Sequence, residues 1–72
     1  MIPGFGAAVR TRRVALGVSQ EELADRAGLH RTYVGDVERG IRNISLTNIT
    51  RLAAALGCKA SDLLREAEDD GT

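Results

Sequence analysis

A chain of 72 residues, 43% hydrophobic, has room for one small domain, whose core yields only a few kcal/mol of net stability and which gains from pairing with a second copy. One cysteine, Cys58, excludes an intramolecular disulfide, no His or Cys set has metal-ligand spacing, and no apolar run nears the roughly 18 residues of a membrane span; a soluble, cytoplasmic chain without metal, cofactor or membrane contact is expected. Ten basic residues balance ten acidic ones, yet seven Arg stand against five acids up to residue 42, and five Arg against two acids between Arg26 and Arg51, so a positive face is available despite zero net charge.

The first residues, Met1 to Phe5, lack the basic start and apolar stretch of a signal peptide. Helix 1 is predicted over 5–16, with Phe5, Val9 and Leu16 along one stripe, and Gly17 at its end, where a residue of positive φ is wanted. Ser19 with Glu22 three residues on is a capping box, opening a second helix over 20–27 that Gly28 stops. A third helix follows over 31–39, closed by Gly40, with His30, a poor residue for the purpose, at its N-cap position; His30 facing a phosphate instead would leave the start of that helix open. Ser45 caps a fourth helix whose apolar positions Leu46, Ile49, Leu52, Ala53 and Leu56 read as core, with Gly57 after it. Ser61 is the expected cap of a fifth helix beginning at Leu63. No segment alternates at period two for long enough to be a strand, so the class is all-α: a compact five-helix domain over 1–68 and an acidic, disordered tail over 69–72.

Helices 2 and 3 are too short to stand alone and must pack on the others. Leu23, Ala24 and Ala27 form the inner face of helix 2, Gly28 and Leu29 the turn, and Val34 and Val37 the inner face of helix 3, which is a helix-turn-helix. With those inside, Arg31, Thr32, Gly35, Asp36 and Arg39 face outward and Tyr33 lies on the flank. A helix fits the major groove of B-DNA and its N-terminal residues reach furthest in. Arg31 can make a bidentate contact to guanine, Thr32 can offer its hydroxyl or methyl, and Tyr33 can pack its ring on sugar or a thymine methyl. Gly35 suits either close backbone approach to DNA or a tolerated exposed glycine; Asp36 either accepts from cytosine N4 or repels phosphate.

The stretch "SQEELADRAGLHRTYVGDVERG" resembles the helix-turn-helix of the lambda-repressor-like, Cro/C1-type regulators, and "LHRTYVGDVERGIRNISL" is similar in detail to the controller proteins of restriction-modification systems. The likeness spans about residues 5 to 66. It implies a transcriptional regulator that binds a pseudo-palindromic operator as a homodimer, activating its own promoter at low occupancy and repressing it at high occupancy, with double-stranded DNA, a second copy and RNA polymerase as partners. It implies that Gln20 binds a phosphate, that Arg31, Thr32, Tyr33, Arg42 and Asn43 contact DNA, and that Arg13 and Glu38 form a structural pair. The dimer would form through helices 4 and 5, for which Ile44, Leu63, Leu64 and the surface near Cys58 are the candidates.

Catalysis has no support, since no acid pair or nucleophile-base spacing accompanies His30, and five short helices leave little volume for a small-molecule pocket. Alternatives of the same class are a phage-type repressor or the DNA-binding part of an antitoxin. From another class comes a protein-interaction module that kept the fold and lost DNA binding, favoured by the zero net charge and opposed by Gln20, Arg31, Thr32 and Arg42.

Overall fold

Five glycines adopt φ near +70°, and four of them, Gly17, Gly28, Gly40 and Gly57, mark the ends of successive helices, so the backbone turns where a side chain would be strained. The computed structural model describes residues 4–71, with side chains through Asp69; it runs α1 (Phe5–Leu16), α2 (Gln20–Ala27), α3 (Arg31–Glu38), α4 (Leu46–Leu56) and α5 (Ala60–Gly71), with no strand among the described residues. The starts are set locally. Ser19 Oγ accepts from Glu22 N–H while Glu22 Oε1 accepts from Ser19 N–H, both at 3.0 Å, and Ser45 Oγ accepts from Asn48 N–H at 3.2 Å. These bonds to Ser19 hold the Glu22 carboxyl below its ordinary range.

Two boundaries differ from expectation at the fifth helix. It begins at Ala60, so Ser61 lies inside its first turn; Asp62 Oδ2 instead reaches back to accept from Lys59 N–H at 3.1 Å. It also continues to Gly71, past residue 68, where the domain was expected to stop; Thr72 and the Asp70 side chain lie outside what is described.

The core gathers one stripe from each helix: Phe5, Ala8 and Val9; Leu23, Ala24 and Ala27; Val34 and Val37; Ile49, Leu52, Ala53 and Leu56; Leu63 and Ala67. Leu23, Leu52 and Leu63 are completely enclosed, and each such side chain contributes roughly 1.5–3 kcal/mol. α1 packs chiefly on α5 and α3, and α2 on α3 and α4. Two leucines expected inside are outside. Leu16 is 48% exposed, because the last part of the inner side of α1 is taken by Arg12 and Arg13; Leu46, the first residue of α4, is 70% exposed.

At the α1–α3 contact, Gly6 lets two helices approach backbone to backbone: a methyl there would stand 2.3 Å from the Val37 carbonyl oxygen. A second tie joins α1 to α5. Arg12 donates from Nε and Nη2 to Glu66 at 2.5–3.1 Å, which raises the arginine and lowers the glutamate relative to their ordinary values. No helix among the described residues is long and apolar enough to cross a membrane.

Candidate nucleic-acid interface

The turn between α2 and α3 is built from three backbone decisions. Gly28 takes φ 70°, which lets Leu29 N–H return to Ala24 O at 2.9 Å and places Leu29 against the core. His30 is extended and its Nδ1 accepts from Thr32 N–H at 3.1 Å, so the ring caps α3 with its own hydrogen on Nε2. That bond settles the start of α3 at Arg31 and turns Nδ1 toward the helix; only Nε2 is left to meet anything outside.

Arg31 and Thr32 stand exposed in the first turn of α3. Arg31 Nη1 lies 3.5 Å from Glu21 Oε2 across the turn, with both side chains 68% exposed, a screened pair that a phosphate or base edge readily replaces. Tyr33 is half buried against the core; its hydroxyl accepts from Asn48 Nδ2 at 3.0 Å, and the Arg42 guanidinium lies 4.8 Å above its ring centre. Arg39, Arg42 and Asn43, from the end of α3 and the loop after it, are exposed.

Three expectations about contact residues change. Gly35 is buried, because the ends of the Arg39 and Gln20 side chains lie over it; neither backbone approach to DNA nor an open surface glycine describes it. Asp36 is neither a free acceptor nor a bare negative charge: it meets Arg39 at 2.5 Å and Arg42 at 3.6 Å. Leu63 is enclosed in the core at 0% exposure and has no surface to give to a dimer seam, since α5 turns this position onto α1 and α4, whereas Leu64, one residue and about 100° further round, is half buried at the edge. Ile44 and Cys58 share that half-buried status, and burial pushes the Cys58 thiol up.

Beneath the face lies an ion pair that spans three helices. Arg13 donates to Glu38 from Nε at 2.7 Å and Nη2 at 3.0 Å and to Val18 O from Nη1 at 3.0 Å, and Gln20 Nε2 donates to Glu38 Oε1 at 3.0 Å. The hydrogen bond to Glu38 raises the Arg13 guanidinium, and the side chains are only 14% and 4% exposed. Gln20 is thereby oriented by α1 and α3 with its amide at the start of α2. Sequence reasoning missed Glu21, Asn48 and Gly6. Only Gly6, a glycine inside a helical pattern, carried a local signal.

The geometry is a short helix presenting an exposed polar N-terminal turn, flanked by a pair of arginines and a polar helix start. A family model described as "Helix-turn-helix" matches residues 9–63. The chain is 51% identical over 61 residues to the control protein C.BamHI of Bacillus amyloliquefaciens, covering 83% of this chain and 75% of that one. It is 48% identical over 56 residues to the control protein C.SmaI of Serratia marcescens, covering 78% and 67%. Among solved structures, the restriction-modification controller protein C.AhdI of Aeromonas hydrophila superposes with a TM-score of 0.80 at 54% identity, covering 82% and 86%, and the DNA-binding domain of the P22 c2 repressor with 0.82 at 26%, covering 89% and 84%.

Proposed function

This chain belongs to the helix-turn-helix family, among the control proteins of restriction-modification systems, and on that premise we propose that it sets α3 into the major groove of an operator as one half of a symmetric dimer. The observation that carries the reading is the exposed first turn of α3, where Arg31 and Thr32 point away from a core that holds Val34 and Val37. Arg31 reads guanine O6 and N7 in place of its pairing with Glu21, and Thr32 reads its neighbour. Tyr33 lays its exposed edge against sugar or a thymine methyl. Gln20, Arg39 and Asn43 meet the phosphate backbone on either side and fix the register, and Arg42 reaches from the loop after α3 to a base edge. His30 serves mainly as the cap and offers Nε2 to the backbone.

A single module of this size binds duplex DNA without sequence preference at only about 10⁻⁴ to 10⁻⁶ M, so two are required, with recognition helices about 34 Å apart in successive major grooves. The α4–α5 side, with Ile44, Cys58 and Leu64 at its edge, supplies the self-complementary face. The dimer acts in the cytoplasm on its own promoter, through RNA polymerase when it activates and by occlusion when it represses. It uses no catalysis, metal or small ligand.

Selection of bound duplexes from a random pool, followed by a salt titration of the winner, tests this. A palindromic consensus with half-sites one helical turn apart and affinity falling steeply with salt is expected. No enrichment from a folded sample overturns the reading in favour of protein contacts. Sedimentation of the unaltered chain at tens of micromolar as a monomer overturns the dimer, and Leu64→Asp should abolish it while leaving the fold.

A further inference from the structure

Resting on the reading that α3 enters the groove, we infer that Asp36 is a positioning residue of the interface: its carboxylate fastens the loop after α3 to the recognition helix and sets Arg42 and Arg39 in place before DNA arrives. The side chain of Asp36 is 18% exposed, whereas those of Arg39 and Arg42 are 61% and 53% exposed. The acid therefore lies beneath the two guanidiniums, and an approaching duplex meets cations first. A role as base acceptor or as a shield against phosphate requires the reverse arrangement.

The carboxylate gives one oxygen to each partner. Oδ1 accepts from Nη2 of Arg39, the C-cap of α3, at 2.5 Å, and Oδ2 lies 3.6 Å from Arg42 Nη1, in the loop. Arg42 is held from a second side by the Tyr33 ring, 4.8 Å from its guanidinium carbon, and Tyr33 is itself tied to Asn48 of α4. Helix, loop and the next helix are thus joined through Arg42. An arginine on an untethered loop surrenders its rotamer freedom when it binds; one held between a carboxylate and a ring has already lost it.

The same carboxylate cancels one of two neighbouring positive charges. Asp36 thereby weakens the undirected attraction of this face for any phosphate and strengthens the directed contact of Arg42, both of which favour the operator over other DNA.

The test uses the full chain, the duplex selected with it and an unrelated duplex, read by fluorescence anisotropy, with circular dichroism to establish folding. For Asp36→Asn the ratio of operator to unrelated affinity falls about tenfold, the discrimination of one contact, with affinity for the unrelated duplex unchanged or higher. Arg42→Ala then adds less than about twofold in the Asp36→Asn background, because the group it removes is already displaced. Asp36→Glu keeps the charge but moves it by one methylene and also lowers the ratio; it carries the test if Asp36→Asn does not fold. An unchanged ratio in the folded variants, losses that multiply fully in the double variant, or a wild-type ratio in Asp36→Glu overturns the inference. Failure of the unaltered chain to select any duplex overturns the DNA-binding reading itself, and the inference with it.

Discussion

Replacing Gly6 by Ala sets two calculable effects against each other. Alanine is favoured over glycine inside a helix by about 1 kcal/mol, and on an isolated α1 the substitution would stabilise. In the folded chain the new methyl stands 2.3 Å from Val37 O, 2.7 Å from Glu38 O and 2.9 Å from Glu38 C. Ordinary carbon–oxygen contacts lie near ~3.3–3.6 Å, so α1 and α3 must part by about 1 Å. The opposing atoms are backbone carbonyls at the end of α3 and cannot rotate away, which puts the cost at or above the upper end of the roughly 1–3 kcal/mol typical of overpacking. The net loss is about 2 kcal/mol, or a fall in Tm of roughly 8–16 °C for a domain of this size. Thermal melts by circular dichroism, at matched protein concentration because dimerisation raises Tm, measure it. Gly35→Ala is the internal control: its nearest neighbours are the ends of Arg39 and Gln20 side chains at 3.4 Å, which can yield, so helix propensity wins and Tm rises. A Gly6→Ala Tm equal to or above that of the unaltered chain would refute the close α1–α3 approach.

Three further outcomes are expected. Arg13→Met should cost about 3 kcal/mol, since it strands a Glu38 carboxylate only 4% exposed, and the Arg13→Met, Glu38→Met double variant should recover more than half of the loss; a single-variant cost under about 1 kcal/mol in urea denaturation would show that the pair is not structural. Glu66, held below its ordinary range by Arg12, contributes stability that is complete above the unfolded carboxylate value of about 4.3 and disappears as pH falls through the folded value, so Glu66→Gln should be less stable at pH 6 and converge with the parent in acid. Equal pH profiles would contradict it. His30→Ala removes the cap of α3 and should cost about 1 kcal/mol, whereas His30→Ser should preserve or raise Tm; an alanine variant that melts with the parent would argue against the Nδ1 bond.

Much of the architecture was open to a reading of the chain because its signals are local. The capping box at Ser19 and Glu22, the Ser45 cap and the glycines at 17, 28, 40 and 57 each act on atoms within a few residues, so their meaning does not depend on what packs nearby. The same holds for the inner faces of α2 and α3, where Leu23, Ala24, Val34 and Val37 repeat at helical spacing and are buried. From these follow the first four helices, the helix-turn-helix and the exposed Arg31 and Thr32.

Tertiary structure decided what periodicity cannot: which of several apolar or polar neighbours meets a partner distant in sequence. Leu63 is inside and Leu46 outside although both suit a core stripe, because α5 packs on α1 and α4 and encloses Leu63 there, while Leu46, the first residue of α4, stays 70% exposed. Gly35 disappears beneath Arg39 and Gln20, and Asp36 beneath Arg39 and Arg42, since side chains from α2 and from the loop fold over α3. Tyr33 finds Asn48 fifteen residues away, and Arg12 finds Glu66 at a separation of 54. Short-range hydrogen bonds and backbone dihedrals are written in adjacent residues, whereas the partner of a charged or polar side chain depends on the crossing of helices and exists only once they have packed.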